Sequence, residues 1–356
     1  MFWPVYITLC FSLILVMILP LDKILFLRQT GMYSLPFFGY FFFALLVLDA
    51  LRIGLNHLKI ALPISNLPLV STIISIGIAV LFMVYGTFHA RKIHTVNYEI
   101  TLNKHASGLL PQEGRLRIAL ISDTHIGLNV NRQWIANIVD IVNRTEPDIV
   151  IIVGDIFDND IDSVRDLEGL VYELRRFNAP LGVFASQGNH DVDRISWRGA
   201  LRGEASTVRI KDFLKNADID LLLDEVVFVA DSFYLVGRRD VSPIGSRHVR
   251  KTAAELAEGL DKSKPIIFLD HQPVDFPGKD DAGADLILSG HTHKGQVFPG
   301  SLITDRMFKE AGAIHYGYWQ GHNAQAIVTS GAGVWGPPMR IGTISEVVVI
   351  NVIFGL

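Results

Sequence analysis

Apolar residues are distributed along this chain in two regimes, and the change between them falls near residue 90. Before it, hydrophobic residues run on without a period. Phe2 to Leu21 carries almost no charge and is just long enough to cross a hydrocarbon core of about 30 Å. A second run, Leu35 to Leu48, then meets Asp49 and Arg52, which are spaced to pair at i,i+3 on a helix. The third, Leu67 to Phe88, contains no charge at all. Runs of this length in close succession exceed ordinary core helices, so the pattern predicts three membrane spans within residues 1–90. Met1-Phe2-Trp3-Pro4 offers no basic leader and no small-residue cleavage site follows, so the runs read as permanent anchors.

After a short join at about Ala90 to Asn97 the grammar changes. Val96, Tyr98, Ile100 and Leu102 alternate with polar residues, the period-2 pattern of a half-buried strand. Leu116 to Ser122 is a short apolar run ending at Asp123. Trp134, Ile135, Ile138, Val139 and Val142 then share one face of a helix. Further strands are predicted at Asp148 to Val153, Leu181 to Ser186, Val226 to Ala230, Phe233 to Val236, Pro265 to Leu269 and Asp285 to Leu288. Ala326 to Thr329 and Glu346 to Ile353 are strand-like too, and Val164 to Phe177 reads as a helix. Strands alternating with helices early, then a run of strands, predict a layered α/β domain over residues 91–356 behind the helical anchor.

Composition adds constraints. The net charge of −4 lacks the basic balance of a nucleic-acid binder, and none is expected as a partner. A single cysteine, Cys10, excludes an intrachain disulfide and a thiolate zinc cluster. Lysine and arginine set the orientation. Lys23, Arg28, Arg91, Lys92 and Lys104 outnumber Arg52 and Lys59 on the opposite loop, so with three spans the α/β domain is expected in the cytoplasm. An outward-facing domain, working on envelope polymers or scavenged phosphate, is the alternative.

The chemistry gathers in five short clusters, each just after an apolar run: Asp123-Thr124-His125, Gly154-Asp155, Gly188-Asn189-His190-Asp191, His271 and Gly290-His291-Thr292-His293. Each alone is commonplace as a turn, a cap or a satisfied histidine; the ordered set is not. Ligands delivered at strand carboxyl ends are how open α/β sheets build a site. Asp, Asn and several His together suit Mn, Fe, Ni or Zn rather than calcium. Asp123 and His125 can reach one ion only if their loop bends, and His291 and His293 pose the same problem, relieved by Gly290 and Gly295. Asp155, with two oxygens, could bridge two ions, and paired metals make hydroxide available at neutral pH.

The ordered set resembles the calcineurin-like metallophosphoesterases, here as Asp123-Thr124-His125, Gly154-Asp155-Ile156-Phe157-Asp158, Gly188-Asn189-His190-Asp191, His271 and Gly290-His291-Thr292-His293. It is most similar to that family's bacterial membrane-associated branch, through Gly237-Arg238-Arg239-Asp240, His271-Gln272-Pro273 and the Gly- and Pro-rich loop from Gly331 to Pro338. The resemblance implies a double β-sandwich flanked by helices, preceded here by the transmembrane region. It implies that Asp123, His125 and His293 hold a first divalent metal and Asn189, His271 and His291 a second, with Asp155 bridging. His190 would act at the leaving-group oxygen and Asp191 would orient it. The implied activity is hydrolysis of a phosphomonoester, phosphodiester or pyrophosphate by direct attack of metal-bound hydroxide, without a phosphoenzyme.

Two weaker signals concern substrate. Arg194, Arg198 and Arg202 recur every four residues and would form one basic helical stripe, and Arg238 and Arg239 follow a strand. The stripe could grip an anionic substrate or lipid headgroups and the pair could contact phosphate, against the more ordinary readings of a solvated helix face and of surface or salt-bridge roles. Two functions follow: a membrane-anchored metal-dependent phosphoric ester hydrolase with a substrate near the bilayer, such as a lipid-linked one, or a non-catalytic membrane module that keeps the fold for metal binding or assembly.

Overall fold

The computed structural model describes residues 25–60, 62–106, 108, 110–112, 114–158, 161, 164–191, 203–241 and 250–355. The expected span from Phe2 to Leu21 and the arginine stripe Arg194, Arg198 and Arg202 lie outside the described residues. Two units are distinguished: the N-terminal helices with Gly336–Ile341, and Arg91–Trp335 with Gly342–Leu356.

In the first unit, helix α1 (Leu25–His57) contains the whole second run, from Leu35 to Leu48, and continues past Asp49 and Arg52, which pair at 3.2 Å. Helix α2 (Leu67–Ala90) is the third run. The hydroxyls of Tyr33 and Thr87 lie 3.0 Å apart and Tyr40 stacks on Phe82 at 4.9 Å, so position rises along one helix as it falls along the other: an antiparallel hairpin. Both helices are long and apolar enough to cross a membrane. Their large apolar side chains face outward, Leu46 and Leu81 among them, which a core helix of a soluble protein would bury. Small residues Ser75, Ala79, Gly86 and Ala90 are the buried ones on α2. Gly86 admits the returning segment, its carbonyl accepting from the Arg340 amide at 3.0 Å.

The second unit is two six-stranded sheets. The first has the order β1 (Ile93–Leu102), β12 (Ser345–Phe354), β2 (Arg115–Ile121), β3 (Ile149–Val153), β4 (Val183–Ser186), β5 (Asp220–Leu222). The second runs β10 (Gly317–Gln320), β11 (Gln325–Val328), β9 (Leu286–Ser289), β8 (Ile266–Leu269), β7 (Phe233–Gly237), β6 (Glu225–Val229). Strands β2 to β5 are parallel, as are β7, β8, β9 and β11. Central parallel strands are covered on both faces, which is why β3, β4, β8 and β9 read as unbroken apolar runs. Edge strand β1 keeps the polar alternation that its sequence showed.

Inward faces of the two sheets meet in one core, with Ile118, Leu120 and Ile151 from the first and Phe233, Leu235, Ile267 and Leu288 from the second. Each such side chain contributes about 1.5–3 kcal/mol on burial. Helix α3 (Arg132–Arg144) covers the outside of the first sheet with Ile135, Ile138, Val139 and Val142, alongside α4 (Leu167–Leu174) and α5 (Gly203–Asn216). Helices α6 (Ala253–Ala257) and α7 (Phe276–Ala282) cover the second. This is the expected α/β double β-sandwich flanked by helices. Helix α4 is shorter than the predicted Val164 to Phe177, because Asp166 takes a left-handed conformation and caps the helix by accepting from Gly169 N at 3.0 Å. Short strands β5 and β10, and helix α8 (Gly300–Glu310), were not evident from the periodicity.

Candidate metal centre

Topology concentrates the clusters. Asp123, Asp155 and Asn189 follow the adjacent parallel strands β2, β3 and β4, while His271 and His291 follow β8 and β9 of the other sheet. Hydrogen bonds stitch the two sets together. The His291 amide donates to both Asp123 oxygens at 3.1 and 3.0 Å, and His271 Nδ1 donates to the Val153 carbonyl at 2.9 Å.

The bend needed to turn neighbouring side chains inward is present. Asp123, His125, Asp155, His291 and His293 all have φ between 46° and 74°, the left-handed region that non-glycine residues rarely occupy. Such conformations cost on the order of 1–3 kcal/mol each and persist only where the surroundings impose them. Two glycines permit the closest approaches. A Cβ on Gly188 would lie 2.3 Å from Asp155 Oδ1, and one on Gly290 would lie 2.4 Å from Asp123 Oδ2.

Candidate ligand atoms fall into two adjoining groups, Asp123, His125 and His293, and Asp155, His271 and His291, and a third, His125, Asp158 and His190, shares His125 with the first. His125 Nε2 faces His293 Nε2 at 3.0 Å, and Asp123 Oδ1 lies 3.4 Å from the latter. Asp155 Oδ2 sits 3.1 Å from His271 Nε2 and 3.7 Å from His125 Nε2, between the groups. Asp155 Oδ1 accepts from the His190 amide at 2.8 Å, which ties the Asn189 turn to the cage. A metal fits these donors on three observations. Asn189 Oδ1 and His291 Nδ1 are buried without a hydrogen-bond partner. Donation from Nδ1 to a carbonyl directs the His271 Nε2 lone pair inward, the usual arrangement for a ligating imidazole. The mixed nitrogen and oxygen donors suit Mn, Fe, Ni or Zn.

Electrostatics shows how tightly the groups are coupled. Burial pushes the Asp123 carboxyl up to about 6, against the opposing charge of His271. Burial would also raise Asp155, but His271, His125 and His190 outweigh it and hold Asp155 well below the ordinary carboxylate range. For His271, burial disfavours the charge while Asp155 and Asp123 favour it, and the carboxylates win, lifting it well above the ordinary histidine value. His291 is held down to about 4, chiefly by burial and then by His271.

The remaining expected residues are placed as follows. His190 Nδ1 donates to the Asp158 carbonyl at 2.6 Å, and its ring lies edge-on to His125 at 4.9 Å. Asp191 accepts from the amides of Ile156, Phe157 and Gly188 at 2.9, 3.0 and 2.8 Å, so its bonds join two ligand-bearing turns. Burial and the charge of Asp155 push it up to about 7, against the amides of Phe157 and Gly188 and the charge of His271. Arg238 is buried, donating to Asp270 Oδ2 at 3.0 Å and to the Lys251 carbonyl at 3.0 Å. The Arg239 amide donates to Asp224 at 2.9 Å.

Sequence reasoning missed three features. Asp158 holds His190 and lies 3.8 Å from His125 Nδ1. Its place in Gly154-Asp155-Ile156-Phe157-Asp158 was the available signal. Asp270, beside His271, gathers Arg238, Arg250 and Lys279 on one buried oxygen at 3.0, 2.5 and 2.8 Å. Trp335 stands 6.1 Å from the His190 ring, its backbone clamped on both sides by the Gln296 amide. Trp335 lies in the loop from Gly331 to Pro338 that the sequence singled out, whereas no sequence signal pointed to Asp270.

Comparison with known proteins gives this geometry a context. Over 237 residues the chain is 31% identical to an uncharacterized metallophosphoesterase of Campylobacter jejuni, covering 66% of this chain and 59% of that protein. It is 30% identical over 285 residues to a Danio rerio transmembrane protein with metallophosphoesterase domain, covering 78% and 61%. An uncharacterized metallophosphoesterase of Aquifex aeolicus is 29% identical over 284 residues, covering 77% of this chain and 97% of that one. The chain thus spans about 60% of the length of several curated relatives it matches. The calcineurin-like phosphoesterase model matches residues 116–295, half of the sequence and all of the stretch from Asp123 to His293, and by that match the chain belongs to the calcineurin-like phosphoesterase family.

Proposed function

We propose that this protein is a membrane-anchored phosphoesterase that uses two divalent metals, with residues 1–90 as multi-pass anchor and 91–356 as catalytic domain. The observation that carries the reading is the position of Asp155 Oδ2 between His271 Nε2 and His125 Nε2, the central atom of two adjoining ligand groups. Asp123, His125 and His293 would hold one cation and Asn189, His271 and His291 the other, with Asp155 shared. When bound, the pair would neutralise charge on phosphoryl oxygens and make a water-derived nucleophile available at neutral pH.

The protein's own groups do the rest. His190, oriented by the Asp158 carbonyl, would deliver a proton from Nε2 to the departing oxygen. Asp191 keeps the Asp155 and Asn189 turns in register through its three amide bonds. The substrate class is a phosphodiester, phosphomonoester or pyrophosphate. A lipid-linked ester suits an enzyme tethered to the bilayer, because tethering raises its effective concentration there. The charge bias of the loops supports a cytoplasmic catalytic domain. Alkaline phosphatase fused to the carboxy terminus tests the side: no periplasmic activity is expected, and activity there would reverse the orientation.

The function is tested with purified full-length protein, an aryl phosphodiester and added manganese. Turnover that Asp155→Ala abolishes is expected. Absence of turnover with every divalent metal tried, with Asp155→Ala indistinguishable from wild type, would leave the non-catalytic module.

A further inference from the structure

Helix α8 (Gly300–Glu310) begins five residues after the His291-Thr292-His293 cluster has turned through Gly295, and it is amphipathic. At 3.6 residues per turn, Ile303, Met307 and Phe308 fall on one side. Asp305, Arg306 and Lys309 fall on the other, Glu310 sits at the border beside Ile303, and the four pair among themselves, Arg306 with Glu310 at 2.8 Å and Lys309 with Asp305 at 2.7 Å. Leu302 and Glu310 break the division, Leu302 lying among the charged residues and Glu310 within about 20° of Ile303. An amphipathic helix normally buries its apolar side, yet none of the residues of α8 is buried; Ile303 and Met307 are 57% and 61% exposed. Two exposed aromatic residues stand close by in the chain's hydrogen-bond network. Phe298 lies two residues before the helix, and Trp335 is bound through its backbone to Gln296, a further two residues earlier.

We infer that α8, with Phe298 and Trp335, is an interfacial element that rests in the headgroup layer of the bilayer. Three observations select a lipid surface over a protein partner. First, α2 ends at Ala90 and β1 starts at Ile93. Three peptide steps reach at most about 10 Å, so the α/β unit cannot leave a membrane that α2 spans. Second, the charged side chains of α8 are already paired with one another and offer no unmatched charge for a complementary protein. Third, a tryptophan and a phenylalanine beside exposed aliphatic residues is the composition that settles at a membrane interface. Because Trp335 also lies 6.1 Å from the His190 ring, this placement sets the mouth of the site at headgroup depth. The substrate class it favours is a phosphoester carried on a lipid.

The inference rests on the anchor reading but not on hydrolysis, and the test separates the two. In full-length protein carrying Cys10→Ser, single cysteines are introduced by Met307→Cys on the apolar side of α8, Lys309→Cys on its charged side and Leu81→Cys on α2. Each is labelled with an environment-sensitive fluorophore and reconstituted into phosphatidylcholine–phosphatidylglycerol vesicles with and without nitroxide-labelled lipid. Insertion to ~5–10 Å predicts about two-fold or greater quenching at positions 307 and 81, and little at 309. Quenching at 81 with a water-exposed probe at 307 overturns the inference and leaves the anchor intact. So does a shielded but unquenched probe at 307, which would mean that protein, a second copy or a partner, covers the helix. Absence of quenching at 81 overturns the anchor reading and the inference with it.

Discussion

Asp191→Ala isolates what holds the centre in shape. The carboxylate is 2% exposed and accepts three backbone amides, two from the turn after β3 and one from the turn after β4. Removing it strands three buried donors, each costing roughly 1–3 kcal/mol if nothing replaces the acceptor. The space vacated by a carboxylate admits water, which places the expected loss at the lower end, about 3 kcal/mol. Asp191→Asn should lose less, about 1–2 kcal/mol, because its carbonyl oxygen can still accept from Ile156 and Phe157 while its amide group faces the Gly188 donor. The assay is thermal unfolding of the full-length protein in detergent, followed by near-ultraviolet circular dichroism for the α/β unit. A fall of several degrees for alanine and a smaller one for asparagine are expected. Unchanged midpoints in both variants, with turnover lost, would refute the reasoning. Asp191 would then act on His190 rather than on the backbone.

Four further outcomes follow from the same geometry. Gly188→Ala drives a methyl into Asp155 and should weaken manganese binding at least tenfold by titration calorimetry, a penalty of about 1.4 kcal/mol or more. Asp270→Asn leaves Arg238, Arg250 and Lys279 without their shared anion and should cost about 3–5 kcal/mol in chemical denaturation. In chelator-treated protein, Asp123 and Asp191 sit at about 6 and 7, above the ordinary carboxylate value near 4, so the fold holds their protons more tightly than the unfolded chain does. Their stabilisation is therefore full below pH 4 and lost as pH rises to 7, opposed in part by His291 at about 4. Denaturation midpoints should fall across that window without metal and rise across it with manganese, which requires deprotonated ligands. His190→Ala should lower kcat about 10²–10⁴-fold while manganese stoichiometry, read by mass spectrometry, stays the same.

Much of the fold was legible because its central strands are short, apolar and bounded by chemistry. Runs such as Asp148 to Val153 and Pro265 to Leu269 end where the buried β-ladder ends, and the next residues are free to serve as ligands. Non-local pairing left no such trace. Nothing in Glu346 to Ile353 says that this last strand inserts between β1 and β2. Helix α8 escaped because none of its residues is buried, so only a weak pattern marks it. The candidate ligands were visible as a set. Asp191 was named with them, but its bonds to three backbone amides, and those that commit Arg238 to Asp270, are contacts that a linear reading cannot see. The left-handed backbone at Asp123, His125 and Asp155 is likewise a product of tertiary packing, invisible in residue identity.

The central claim is that the strand-end residues close around two cations sharing one carboxylate. Anomalous difference density from manganese-loaded crystals of the full-length protein tests it most directly. The account predicts two peaks, one among Asp123, His125 and His293, the other among Asn189, His271 and His291, each within bonding distance of Asp155. A single peak, or two peaks of which only one touches Asp155, would contradict it.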